Sequence, residues 1–163
     1  MNPSDEFLES PKAGLLRTLG FQDRSTGIVV DGRKIPLSLF LHVNKLTDFQ
    51  HTIIKRVLDI EATQEDYSAA IQQIQHQADQ LTRANWKPNK VDGDAVNRPD
   101  HYERFAIEPT FFARENGITW NLGNFLKYMC RFPFKNGVED LRKAARYLAM
   151  EVRFLDGLQD WSR

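Results

Sequence analysis

Apolar residues in this chain return at alternating steps of three and four, the interval at which side chains share one face of an α-helix. Tyr67, Ile71, Ile74, Ala78 and Leu81 follow that rhythm, and Val138, Leu141, Ala145, Leu148, Val152 and Leu155 repeat it near the end of the chain. Such seams suit antiparallel or coiled-coil packing, either between subunits or within one chain. One stretch signals strands instead. Gly27-Ile28-Val29-Val30 and Arg33-Lys34-Ile35 flank Asp31-Gly32, which supplies the positive φ angles of a two-residue turn, and Pro36 ends the second strand. The expected fold class is therefore mainly α, a helical bundle with one small β-hairpin near the N-terminus.

Punctuation divides the rest. A polar tail reaches Lys12, and residues 13–19 form a short apolar helix candidate stopped by Gly20. Residues 37–60 carry Leu39, Phe40, Val43, Leu46, Phe49, Ile53, Ile54, Val57 and Leu58 at helical steps, with a break near 44–47, so they predict one bent helix or two. Thr63 with Asp66 three residues on approximates a capping box in front of the first seam. Residues 87–98, with a proline, a glycine and few apolar side chains, predict a linker. It separates an N-terminal helical module with the hairpin (1–86), a candidate for oligomerisation, from a C-terminal helical domain (99–163). That domain carries three helix candidates, 107–116, 119–132 and 138–158, with Gly117 and Pro133 as stops.

Charge narrows the function. Among 163 residues, 22 basic side chains balance 22 acidic ones, which argues against strong non-specific nucleic-acid binding but not against a local basic pocket. One cysteine, Cys130, leaves no intrachain disulfide, and four scattered histidines give no zinc spacing, so the chain reads as intracellular. No apolar run approaches the roughly 20 residues of a membrane span. There is no G-x-x-x-x-G-K-[ST] loop, which excludes an ordinary P-loop kinase, and no G-x-G-x-x-G, G-x-S-x-G or H-E-x-x-H. Glu61, Glu65 and Asp66 stand at offsets other than the E-x-x-E and E-x-x-D pairs with which helical pyrophosphatases hold magnesium.

The chemistry concentrates in 119–132. Leu122, Phe125, Leu126 and Met129 make an apolar side, and Asn124, Lys127, Tyr128 and Arg131 line the other. A guanidinium grips phosphate in bidentate fashion and an ammonium adds a mobile point charge, so this side is a candidate anion-binding face. It is equally a solvated face whose cations meet water, Glu139 or Asp140. Lys135 lies in the turn where Asn136-Gly137 reverses the chain, and Lys143 follows Glu139 by four residues. If the two helices are antiparallel neighbours, Lys127, Arg131, Lys135 and Lys143 converge, with Asp140 fixing one of them. Glu139 and Asp140 also suit the first turn of the next helix. His101-Tyr102 behind Pro99 can stack on a base, donate to a phosphate, or plug a core edge. Glu108 near a helix start has a dipole explanation as well.

The order Pro99, His101, Tyr102; Ile107, Glu108; Gly123, Asn124, Lys127, Tyr128, Arg131; Lys135; Asp140, Leu141, Lys143, Ala144, Tyr147 resembles a phage protein family long filed as a domain of unknown function, which includes a small deoxynucleotide kinase of T-seven-like coliphages. The resemblance covers residues 99–163. It implies a phage-encoded, homo-oligomeric nucleotide kinase in the host cytoplasm that moves a phosphoryl group from ATP or another (d)NTP to a dTMP- or dGMP-like monophosphate, without a Walker loop and with magnesium left open. By that analogy Lys127, Arg131, Asp140 and Lys143 are the catalytic candidates. His101, Tyr102, Glu108, Asn124, Tyr128, Lys135 and Tyr147 are the substrate-binding ones. The alternatives are a nucleotide-binding or host-interaction protein without turnover, and a nucleotide hydrolase.

Overall fold

The computed structural model describes residues 34–90 and 104–163, and among them the protein is mainly helical, with no strand. The hairpin expected at residues 27–35 and the helix expected at 13–19 fall on residues outside this description, apart from Lys34 and Ile35. Six helices follow in order: α1 (Leu37–Val43), α2 (Asp48–Leu58), α3 (Gln64–Arg83), α4 (Pro109–Glu115), α5 (Trp120–Arg131) and α6 (Val138–Leu155). None is long and apolar enough to cross a membrane.

The expected break in residues 37–60 is real and makes two helices. Lys45 takes a positive φ of 50°, and Thr47 restarts the chain as the N-cap of α2 in a reciprocal capping box with Gln50. Thr63 and Asp66 make the corresponding box at the start of α3. At the other end of the chain the last helix stops at Leu155, short of the expected 158. Gly157 adopts a φ of 74°, and the amides of Gly157 and Leu158 donate to Phe154 and Arg153 carbonyls, closing the helix with a Schellman motif. Leu155, the last residue of the second seam, is consequently half exposed.

Helix α6 packs against both α3 and α5, α4 packs on α5, and α2 bridges α3 and α5. The two seams are used inside the chain. Ala70, Ile74 and Ala78 of α3 and Leu141, Ala144, Ala145 and Leu148 of α6 are all buried in one core that also takes Phe40, Ile53, Ile54, Phe112, Phe125 and Met129. Of the two packing modes open to the seams, the intramolecular one is observed, so they supply no separate argument for a second copy.

Side chains on both sides of residues 87–98 contribute to that core. The stretch after α3 is itself fastened to the α5–α6 turn: the Asn89 amide donates to the Pro133 carbonyl at 2.8 Å, and the Trp86 ring lies 6.2 Å from that of Phe132. Gly137 is confined twice over, by a φ of 58° and by Trp86 and Pro88, each 3.1 Å from where a Cβ would stand.

Three carboxamides far apart in sequence hold the first three helices to the last three. Asn44 pairs both its atoms with the backbone of Ile107 at 2.9 and 3.0 Å, and Asn116 does the same with Ile35 at 2.9 and 3.0 Å. Gln50, 2% exposed, donates to the carbonyls of Met129 and Cys130 at 2.8 and 3.1 Å. These carbonyls belong to the last turn of α5, where the helix itself offers no donor.

Candidate functional site

Helix α5 begins at the N-cap Thr119, whose hydroxyl accepts from the Leu122 amide, and Gly123 faces α4, an added Cβ standing in ordinary contact at 3.5 Å from that of Ala113. The turn through Phe134 and Gly137 then brings α6 back along it, antiparallel as expected. Between them runs a polar ladder. At one end Arg131 donates from Nε and Nη2 to the two oxygens of Asp140, both at 3.0 Å. In the middle Tyr128 stacks on Tyr147, ring centroids 5.6 Å apart and 17° from parallel. At the other end Thr119 and Asn121 donate to the two oxygens of Glu151 at 3.0 and 2.9 Å.

The Arg131–Asp140 pair is the tightest of these. Asp140 is fully buried, the Arg131 side chain is 11% exposed, and the backbone and side chain of Asn136 reach the same carboxylate at 3.4 Å. With both oxygens accepting from Arg131, Asp140 orients that guanidinium; it does not face outward as a metal ligand or a base.

Cations gather on Tyr128. Lys127 Nζ and Arg131 Cζ each lie 4.6 Å from its ring centroid, and Lys143 Nζ lies 5.7 Å away. The Lys127 ammonium also donates to Asn124 Oδ1 at 2.6 Å, while the Asn124 amide nitrogen donates to the Trp120 carbonyl at 2.9 Å. Burial holds Lys127 below its ordinary value, and Arg131, Lys135 and Lys143 push it further down against the opposing pull of Asp140. Lys143 sits above its ordinary value because Glu139 accepts its hydrogen bond, and Glu139 is lowered in return. Lys127 therefore stands among cations, partly desolvated, in an ion pair with no carboxylate among the described residues.

The expected stripe is present, and it is no solvated face. Asn124 is buried at 6% exposure, and Lys127, Tyr128 and Arg131 are half-buried against α6. Arg131, Lys127, Tyr128, Asp140, Lys143 and Tyr147 come together, and Lys135 is close enough to shift Lys127. Glu108 is elsewhere in role: it is the N-cap of α4 and makes no side-chain cap bond. His101 and Tyr102 lie outside the described residues.

Four residues of this region have no mark in the sequence reading. Glu151 and Asn121 complete the ladder, Gln50 ties the last turn of α5, and Arg104 lies 4.8 Å from the ring of Phe134, beside Lys135. Glu151 falls at 140, 144, 147, 151 spacing with Asp140 and Tyr147, a signal open to a reader who already knew which face of α6 met α5. Cys130 is not a nucleophile here, since full burial drives its thiol far above the ordinary range. No group of three or more His, Cys, Asp or Glu suited to a metal ion occurs among the described residues.

An open depression of about 640 Å³ lies on α2 and the α2–α3 turn, lined by His51, Lys55, Arg56, Asp59, Glu61 and Asp66 among others. It shares no residue with the cation cluster.

Comparison with known proteins adds one observation. No curated protein and no solved structure matches the chain, while residues 96–149, about a third of its length and the stretch that holds the polar ladder apart from Glu151, match the model of a family described only as a protein of unknown function, DUF3310.

Proposed function

We propose that this chain is a phage-encoded nucleotide kinase that transfers a phosphoryl group from ATP or another (d)NTP to a deoxynucleoside monophosphate without a Walker loop. The observation that carries the proposal is the convergence of Lys127, Arg131 and Lys143 on Tyr128, with Lys135 near enough to act on Lys127. Among the described residues two carboxylates, Asp140 and Glu139, stand against these four cations, each engaged with one of them. A phosphate supplies the missing negative charge.

Phosphoryl transfer asks a protein mainly for positioning and for charge neutralisation. An oxygen of the acceptor monophosphate attacks the γ-phosphorus of the donor, the bond to the β–γ bridging oxygen breaks, and the donor leaves as a diphosphate. The acceptor oxygen is already ionised at neutral pH, so no base is required of the protein. In this reading Arg131, aimed by Asp140, and Lys127, Lys135 and Lys143 neutralise the moving group; Asn124 holds the Lys127 ammonium; Tyr128 and Tyr147 form the wall behind the cations; His101, Tyr102 and Glu108 are the remaining candidates for substrate contact. Homo-oligomeric assembly and action in the host cytoplasm follow from the family resemblance alone.

The test is a product assay across deoxynucleoside monophosphate and (d)NTP pairs, with and without magnesium, on the full chain. Diphosphate formation that Arg131→Ala abolishes supports the proposal, and equal turnover by parent and variant sinks it. A second reading, nucleotide binding without turnover, draws on the fact that Lys127, Arg131 and Lys143 each have a partner within the chain, Asn124, Asp140 and Glu139, as the cations of a preformed binding site would. Saturable nucleotide affinity without diphosphate or released phosphate selects it; released phosphate alone selects a hydrolase.

A further inference from the structure

Trp120 is 75% exposed, the most exposed of the large apolar side chains in the described residues. It is the first residue of α5, and at 100° per residue it begins a narrow line. With Trp120 at 0°, Asn124 falls at about 40°, Lys127 at about −20° and Arg131 at about 20°. Gly123, which meets α4, falls at about −60°, while Asn121 and Tyr128, which meet α6, fall near 80–100°. The line from Trp120 to Arg131 thus runs between the side of α5 that meets α4 and the side that meets α6, open to water at Trp120 and closing toward Asn124, which is 6% exposed, and Arg131, which α6 holds through Asp140.

The residues of this strip are coupled. The Trp120 carbonyl holds Asn124, whose Oδ1 draws the Lys127 ammonium back toward the N-terminal turn, the direction in which helical side chains lean. Trp120 and Lys127 are about 10 Å apart along the axis. A sugar and its phosphate bridge such a gap. Tyr128, the other aromatic ring beside the cations, already carries Tyr147 on it and Lys127 and Arg131 over it. The indole of Trp120 is the ring left with its surface in water.

Resting on the reading of the cation cluster as a nucleotide site, we infer that Trp120 is the stacking platform for the nucleobase, with the phosphates lying along α5 toward Lys127 and Arg131. Every base presents a flat π-face, so an indole binds the base without selecting it strongly. The site then accepts deoxynucleoside phosphates as a class and takes its affinity from both ends of the ligand.

Calorimetric titration of the full chain with a deoxynucleoside monophosphate, a deoxynucleoside triphosphate and inorganic pyrophosphate tests this. Trp120→Ala weakens both nucleotides by roughly 5- to 100-fold and leaves pyrophosphate unchanged, while Trp120→Phe keeps most of the nucleotide affinity. Unchanged nucleotide affinity in Trp120→Ala overturns the platform and leaves the cation site standing. So does an equal loss for pyrophosphate, which would mean a distorted helix, or an altered sedimentation coefficient with unaltered affinity, which would make Trp120 a contact between copies. A parent chain that binds none of the three ligands overturns the nucleotide site and the platform together.

Discussion

The depression on α2 and the strip on α5 are both lined by charged residues, and they differ in what surrounds the charge. In the depression Arg56 and Asp66 stand 3.8 Å apart, each side chain 37% exposed, and solvent screens them so that the pair contributes little. Asp66 is lowered first by its cap bonds to Thr63, which is helix chemistry. On α5 the Arg131–Asp140 pair is bidentate at 3.0 Å and nearly withdrawn from water, and Lys127 is left partly desolvated beside further cations. The depression is wet, and its two cations, Lys55 and Arg56, face three carboxylates, Asp59, Glu61 and Asp66. Among the described residues the strip on α5 sets four cations against two carboxylates, and in the proposed reading that excess, more than volume, is what a phosphate recognises.

Breaking the comparison takes paired substitutions. The largest effect belongs to Arg131→Ala, which lowers pyrophosphate and nucleotide affinity by about 10²-fold or more, while Arg56→Ala leaves both unchanged in the same titrations. Comparable losses from both variants would mean that the strip has no special standing.

Next comes Asp140→Asn. It leaves Arg131 buried against a neutral partner and costs about 3–5 kcal/mol in urea unfolding, whereas Asp66→Asn changes the midpoint far less. An equal response from the two variants would place Arg131 in water after all.

Gln50→Ala sharpens the contrast from behind the strip, where Gln50 holds the last turn of α5. It strips the Met129 and Cys130 carbonyls of their buried donor and costs about 1–3 kcal/mol, measured by the same unfolding. Pyrophosphate affinity falls with it if the last turn of α5 is what aims Arg131; an unaffected affinity would make Gln50 purely a support of the fold.

The smallest effect has the opposite sign. The fold disfavours the charged form of Lys127, so its folded value lies below the ordinary 10.5. That penalty is present in full at neutral pH and vanishes as pH rises from the lowered value to 10.5, so this group makes stability increase with pH across the window. Lys127→Met raises Tm by a few degrees at neutral pH and flattens that rise, while pyrophosphate affinity falls. In the parent, pyrophosphate affinity declines over the same alkaline window as Lys127 loses its proton. A lower Tm in Lys127→Met would show that the ammonium is not under strain.

Much of the scaffold was legible because helix signals are local. Thr63 with Asp66, the break at 44–47 and the bounds of α4 and α5 depend on residues within a few positions of one another, and these are where reading and structure meet within a residue or two. The end expected at 158 lies past Gly157, whose left-handed backbone ends the helix at Leu155. The stripe on α5 was legible as a line of residue types. Its burial was not, because a helix shows which side chains share a face and never which neighbour covers it.

The sequence alone therefore determined the helical class, the places where helices begin, and the alignment of Asn124, Lys127, Tyr128 and Arg131 on one side of one helix. The tertiary structure decided that α3 and α6 spend their seams on each other, that Asp140 locks Arg131, that Glu151 closes the ladder, and that Gln50 reaches across 79 residues to hold the turn where the cations sit. Backbone periodicity is set within a turn or two of chain, whereas partners so distant in sequence meet only once the core has chosen which faces to bury.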